Sequence, residues 1–492
     1  MDNKNEKKRT NRGLILVLAV LCMTVLCVAG SVLAKYAADV EAGKFQINIA
    51  DNAPYSYTVQ YMDGENELHV QQERDTKKSH VCTIIDTIPQ KNGYAFLGWS
   101  ANKNAETADY KAGDGITLKY GGDHVTTIKR TLYAVWKISM PILETGRKFN
   151  AHTPGETTAV IFTDCAAPEG ATLTDVSEAK DGGIVAWMED TTMYVSTQRS
   201  GVMVYANPDS YSMFSEKSDI TSIDTTNMDV SKVTNMNYMF DGCTGLTALD
   251  VGGWDVSQVK SMGSMFFSCK ALTTVGDLNS WNVASVTDMS FMFYSCKALT
   301  TVGDLSSWNV ASVTGMNYMF SGCQALTTVG DLSSWNVASV KDMSFMFHSC
   351  KTLTTVGDLS SWNVASVTGM NYMFGGCQAL ITVGDLSDWD VSQVTNMTGM
   401  FYECVGLTAL DVGGWDVSHV TNMNSMFSGC KALTTVGDLS SWNVASVTGM
   451  YAMFYYCRNL ILDCSAWDVS KVASYTLFND GASNVIAPTW VN

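Results

Sequence analysis

From Met213 to Phe478 the apolar and polar positions follow one rule that returns about every 27 residues. The recurring unit is Trp-Asp/Asn-Val-Ser/Ala-x-Val-Thr-x-Met-x-x-Met-Phe-x-x-Cys-x-x-Leu-Thr. Its tryptophans are Trp254, Trp281, Trp308, Trp335, Trp362, Trp389, Trp415, Trp442 and Trp467, spaced by 27 residues except for 26 before Trp415 and 25 before Trp467. Met228 holds the first Trp place. The cysteines keep the same step: Cys243, Cys269, Cys296, Cys323, Cys350, Cys377, Cys404, Cys430 and Cys457. Self-similarity at this period predicts a solenoid, in which one turn cannot bury its apolar face alone and the stack buries it collectively.

One turn can be read from Leu246 to Val256, whose apolar residues follow L-x-x-L-x-L-x-x-W-x-V. This is the leucine-rich repeat pattern with Trp in the Asn or Cys place. Leu249 and Val251 are expected to point inward from a short strand and Asp250 outward. Val256, Val259, Met262, Met265 and Phe266 then step by about three, which suits one face of a short helix or 3₁₀ segment. Thr before the first Met (Thr234, Thr287, Thr314, Thr368, Thr395, Thr421, Thr448) reads as an N-cap. Gly before Cys (Gly242, Gly322, Gly376, Gly429) reads as a helix stop. Longer units insert a glycine (Gly276, Gly303, Gly330, Gly357, Gly384, Gly437), the mark of a bulge in a strand. Both ends are worn, with Lys217 in a Cys place and Tyr475 and Phe478 in the Met places, as terminal turns of a repeat array should be.

Outside the array the patterning changes. Tyr57-Thr-Val-Gln-Tyr61 alternates as a strand does. Residues 138–212 are β-rich and non-repetitive, with strand candidates at Ala159–Phe162, Gly183–Met188 and Thr192–Ser196, and read as an N-terminal cap on the solenoid. The chain carries 16% charged residues and a formal net charge of −17. That balance excludes a nucleic-acid partner, which needs a basic footprint. Lys4, Lys7, Lys8, Arg9 and Arg12 precede the apolar Leu14–Ala34, and Val32-Leu33-Ala34 offers a small-residue cleavage site. The first 34 residues are therefore expected to act as a signal peptide or a membrane anchor, the one contact with membrane.

Gly93-Tyr-Ala-Phe-Leu-Gly-Trp99 and Thr131-Leu-Tyr-Ala-Val-Trp136, in this order within residues 55–137, resemble the internalin B-repeat or Listeria–Bacteroides repeat module. The resemblance implies a small β-grasp-like fold used as a spacer or binding module in secreted proteins. Trp99 and Trp136 are read as core aromatics of it. The long repeats resemble the BspA-like surface proteins. That resemblance implies a leucine-rich-repeat-like fold, exposure on a bacterial surface, and adhesion or partner binding without a shared ligand.

Four features bear on chemistry. Nine cysteines in a row cannot all pair, although stacked turns bring neighbours toward disulfide range; a core row of free thiols packing as small hydrophobes is the simpler reading. Cys464, seven residues after Cys457, could clasp the end of the array. The Met-x-x-Met-Phe pairs read as core rather than as copper ligands. Asp250, Asp277, Asp304, Asp331, Asp358, Asp385, Asp411 and Asp438 form an outward row, continued by Asp224 and Asp463. This row is either a solvated, screened concave face, or turns its side chains onto backbone N–H groups, or binds cations, calcium first, or a basic partner. Tyr402, Glu403, His348, His419, Tyr455 and Tyr456 break the monotony of their turns and are candidates for specificity. No nucleophile–base pair, zinc motif or phosphate loop stands out.

The sequence thus predicts a multidomain, non-catalytic exported protein. Its parts are a signal or anchor (1–34), a linker (35–54), a β-grasp-like module (55–137), a β-rich cap (138–212), an α/β leucine-rich-repeat-like solenoid of about ten turns (213–480), and a C-terminal tail (481–492). No cofactor is expected beyond calcium on the acidic row. The expected partner is a host or matrix protein, a glycan or another cell surface. The rival is a structural spacer or envelope protein without a specific ligand.

Overall fold

The computed structural model describes residues 55–491, except 76, 90, 92–93, 121–126 and 139. The expected signal or anchor (1–34) and linker (35–54) lie outside the described residues. Among the described residues no helix is long and apolar enough to cross a membrane. The chain divides into two compact units.

The first unit is built on strands. β1 (Tyr55–Asp63) places Tyr57, Val59 and Tyr61 on one face, all fully buried, because alternate residues of a strand share a side. β2 (Asn66–Asp75) pairs antiparallel to β1, and β6 (Thr127–Ile138) pairs parallel to it. β4 (Tyr94–Ser100) completes a sheet of order β2-β1-β6-β4. β3 (Ser79–Thr83) and β5 (Gly115–Lys119) form a second, antiparallel pair. Trp99 is buried and meets Tyr61 edge-on, with centroids 4.7 Å apart.

The second unit has one continuous core from Leu143 to Val485. It opens with helix α1 (Gly146–His152) and strands β7 (Ala159–Thr163), β8 (Thr174–Asp175), β9 (Val185–Glu189) and β10 (Thr192–Ser196). β12 (Ser222–Asp224) from the first worn repeat joins the edge of this sheet, parallel to β7. Coil-on-coil pairing begins before Met213: β11 (Val204–Tyr205) runs parallel to β13 (Met228–Asp229), and Asp209 bridges to Asn235.

From there one coil stacks on the next. Asn235, Ser261, Asp288, Gly315, Asp342, Gly369, Asn396, Asn422, Gly449 and Ser474 form an unbroken row of parallel bridges. Inside, the coils between the worn ends bury the same set, for example Met289, Met292, Phe293, Cys296, Leu299, Val302, Leu305, Trp308, Val310 and Val313. Like side chains stack on like. Phe266 and Phe293 lie 5.2 Å apart with ring planes 7° from parallel, and Trp281 and Trp308 lie 6.2 Å apart at 2°. From Trp281 to Trp467 each indole of the column finds an acceptor in the previous coil, as when Trp308 Nε1 donates to the Leu278 carbonyl at 2.9 Å. This removes the cost of burying an unpaired N–H. Trp254, first of the column, has no such acceptor.

The expected helix over the Met-x-x-Met-Phe stretch does not form; the α/β reading of the solenoid is corrected to a coil of turns. Tyr238, Phe291, Tyr318 and their counterparts sit at positive φ (58°, 60° and 58°), which a right-handed helix does not admit. The N–H groups divide between two tasks. Those of Met262, Ser264, Phe266 and Ser268 donate to the next coil, and those of Met265, Phe267 and Cys269 close turns onto the third residue back. The apolar step of three is the step of successive turns, with single 3₁₀ turns only at Leu278–Ser280, Leu332–Ser334 and Leu439–Ser441. The threonines are not N-caps either: Thr287 donates both N–H and hydroxyl to the Lys260 carbonyl of the coil before. The Leu-x-Leu stretches do not become continuous strands, since they pair through isolated bridges such as Thr274 to Thr301.

The chain end differs from the expected tail. β15 (Val485–Ile486) pairs parallel to β14 (Leu462–Asp463), and Trp490 stacks on Tyr475 at 4.3 Å and meets Phe478 edge-on, covering the last coil. Cys464 forms no clasp; it is a buried free thiol.

Candidate functional site

The acidic row is placed by local backbone chemistry. Oδ1 of each member accepts the N–H two residues on: Asp250 from Gly252, Asp277 from Asn279, Asp304 from Ser306, Asp331 from Ser333, Asp358 from Ser360, Asp385 from Ser387, Asp411 from Gly413 and Asp438 from Ser440, all at 2.9 to 3.0 Å. Short polar side chains favour this turn. Asp277, Asp331 and Asp438 thereby cap the single 3₁₀ turns. Backbone N–H donation, followed by the serine hydroxyl, holds the Asp385 and Asp438 carboxyls below the usual carboxylate range.

The inserted glycines belong to the same device. Gly357 lies at φ +87°, and a Cβ there would come 2.0 Å from Asp331 Oδ1 of the coil before. Only a residue without a side chain lets the capped turn of one coil nest against the next. One oxygen of each carboxylate is thus committed to its own coil.

The cysteine row faces inward. The described cysteines are all free, and those of the row donate to the Phe carbonyl of the preceding coil, as Cys323 does to Phe293 at 3.1 Å. Burial pushes the Cys377 and Cys457 thiols up to about 12, so they are not nucleophiles near neutral pH. Trp254, Trp281, Trp308, Trp335, Trp362, Trp389, Trp415 and Trp442 line the core beside them.

What remains on the outside is a patch of aromatic side chains. Phe291, Tyr318, Phe345 and Tyr372 occupy the place just before the second Met in four consecutive coils and are all half-buried. Their rings stack at 4.6, 4.5 and 5.0 Å, with planes 6°, 7° and 17° from parallel. Phe267 and Tyr294 form a second stacked pair alongside at 4.7 Å, and Tyr294 meets Tyr318 edge-on. His348 sits edge-on to Phe345 and Tyr372, and burial pushes its imidazole pKa down. Tyr402 closes the patch against Tyr372 and donates its hydroxyl to Glu403 at 3.0 Å. Beneath the column, Ser290 and Ser344 hydroxyls donate to Asn317 and Asn371 of the following coils at 2.6 and 2.7 Å.

These rings stand on strained backbone. Phe291, Tyr318, Phe345 and Tyr372 have φ of 60°, 58°, 58° and 53°. A bulky residue in this left-handed region is an outlier, while Gly enters it freely. Other coils use Ser264, Gly399, Ser425 and Ala452 at the same place, with Tyr238 and Leu477 the bulky exceptions toward the two ends. Of the residues singled out in the sequence, His348, Tyr402 and Glu403 lie in the patch. Tyr455 and Tyr456 pack on each other in a later coil, and His419 lies exposed beside Ser418 in another turn. The column itself was missed, although Ser-Phe alternating with Asn-Tyr in four successive units was its visible signal.

Among known proteins, the family described as Mycoplasma protein of unknown function, DUF285, matches residues 209–328, 301–382 and 378–489, more than half of the chain. No curated protein matches. A crystal structure of a leucine rich cell surface protein from Faecalibacterium prausnitzii A2-165 aligns over 67% of this chain and 88% of its own, at 16% identity and a TM-score of 0.28.

Proposed function

We propose, from the premise that this chain belongs to the DUF285 family, that its array is a non-catalytic binding scaffold on a cell surface and that the outer aromatic patch is where it meets its partner. The observation that carries this reading is the backbone under the patch. Four consecutive bulky rings stack on left-handed positions that serine, glycine and alanine fill in most sister coils, Tyr238 and Leu477 standing apart near the ends. Such residues cost of order 1–3 kcal/mol each and cluster where function requires them. Folding does not ask for them, so binding is the reason they are there. The BspA-like pattern of the repeats supports the surface location and the adhesive role.

The stacking also favours one class of partner. Rings packed face to face along the array cover one another's faces while the residues stay half-exposed. A sugar docks on an open ring face, whereas a protein surface can pack on a half-exposed row of Tyr and Phe. The partner is therefore a protein of the host, the matrix or another cell, ahead of a glycan.

The test is to offer the full chain to immobilised matrix proteins, host-cell surfaces and glycans, with and without calcium. Saturable binding to a protein, competed by the chain's own repeat array, supports the scaffold reading. Self-association alone, with no hit on any surface, points instead to a structural spacer.

A further inference from the structure

A second site stands in the first unit, independent of the array. Strands β2 and β3 bring Glu73, His80 and Cys82 together, with one ligand atom from each lying within 4.8 Å of the others. His80 and Cys82 share a face because they alternate along β3, and Glu73 and Asp75 do the same along β2. His80 Nε2 lies 2.5 Å from Glu73 Oε2, and its Nδ1 lies 3.0 Å from Asp75 Oδ2. Cys82 is fully buried beside them.

The surroundings fix these groups in place. Asp75 holds one ring nitrogen and leaves the other directed at Glu73. Tyr57 stacks on the imidazole at 5.2 Å. Gln71 donates to Glu73 Oε1 at 2.6 Å and accepts the Tyr61 hydroxyl at 2.9 Å. A histidine that ligates a metal ordinarily gives its other N–H to a carboxylate, and a ligating carboxylate is itself hydrogen-bonded. Both supports are present here.

We propose that Glu73, His80 and Cys82 bind one divalent cation of borderline softness, of the zinc type, with water in the fourth place. A sulfur, an imidazole nitrogen and a carboxylate oxygen form a donor set for such an ion. Calcium and magnesium, which take six or more oxygen ligands, do not fit it. Ligand bonds of about 2.0–2.3 Å require the Glu73–His80 contact to open by about 1 Å, which rotation of the half-exposed Glu73 side chain allows. The ion takes the place of the proton between Nε2 and Glu73, and the Cys82 thiol gives its own proton to solvent. One dication enters and two protons leave, so binding weakens as the solution is acidified.

The test is titration of the full chain, reduced and without oxygen, with cobalt(II) as a spectroscopic stand-in for zinc. We expect a thiolate-to-cobalt charge-transfer band that saturates at one equivalent, visible bands of a four-coordinate ion, and displacement of both by zinc. Cys82→Ser removes the charge-transfer band, while Cys165→Ser, at an exposed thiol, leaves it. Asp75→Asn keeps the band and weakens affinity about 10–100-fold, the usual effect of losing an outer partner. If Cys82→Ser fails to fold, the affinity loss in Asp75→Asn, with its band intact, decides the matter. The absence of a band at one equivalent, or a band that survives Cys82→Ser or vanishes with Cys165→Ser, would overturn the proposal.

Discussion

The array carries two aromatic columns built with the same geometry, one inside and one outside. The inner column runs from Phe214 through Phe240, Phe266, Phe293, Phe320, Phe347, Phe374, Phe401 and Phe427 to Phe454, every ring fully buried. The outer column is Phe291, Tyr318, Phe345 and Tyr372, half-exposed and stacked over four consecutive coils, with Tyr238 at the same place alone in an earlier one. The inner column has no gaps because a missing ring would leave a cavity that neighbouring coils cannot close. The outer column stops at Ser264 on one side and at Gly399 on the other, and the coils continue undisturbed. What the fold requires is repeated in every turn, and what it merely tolerates is written in a few.

The comparison can be broken most forcefully from the inside. Phe320→Ala should lower stability by about 3–5 kcal/mol, as for other large core aromatics, read as a shift of the urea midpoint. The matching outer change, Phe345→Ala, should move that midpoint less, because a half-exposed ring gives up only part of a core ring's burial together with stacking of about 0.5–1.5 kcal/mol. The same change should weaken partner binding by about 2 kcal/mol or more if the ring is an anchor.

Smaller effects sharpen the picture of how coils nest. Gly357→Ala should cost about 1–3 kcal/mol by forcing a side chain into left-handed backbone against Asp331. Adding Asp331→Ala should recover part of that loss, so the two effects fail to add. Smallest is the acid response of the outward row. Because the folded-state pKa values of Asp385 and Asp438 are depressed, their contribution to stability is fully present above the unfolded value of about 4 and is lost as pH falls through the lower folded value. The difference in melting temperature between the parent chain and Asp385→Asn should be constant from neutral pH to about 5 and shrink below it.

The repeat, its inward residues and its coil length were legible because burial leaves the same apolar mark in every turn. The helix was misread because an apolar step of three is shared by one helix face and by successive turns. The small and polar residues between the methionines, such as Gly263-Ser264 and Thr398-Gly399, were the local sign of left-handed corners. The outward place of the aspartates was visible in the pattern, but their turn geometry was not, since it depends on the N–H two residues on. The outer column leaves little mark in the sequence, because the place before the second Met carries Phe or Tyr in some units and Ser, Gly or Ala in others. Glu73, His80 and Cys82 escaped for a different reason: strands of two different sheets bring them together at a spacing that matches no compact ligand motif.

The central claim is that the outer rings serve binding and the inner rings serve folding. It is tested most directly on the triple variant Tyr318→Ser, Phe345→Ser, Tyr372→Ser, by following its melting and its binding to whichever surface the full chain recognises in the same preparation. The account predicts a melting temperature within a few degrees of the parent chain and loss of saturable binding. Binding at parental strength, or a collapse of the fold comparable to that caused by Phe320→Ala, would contradict it.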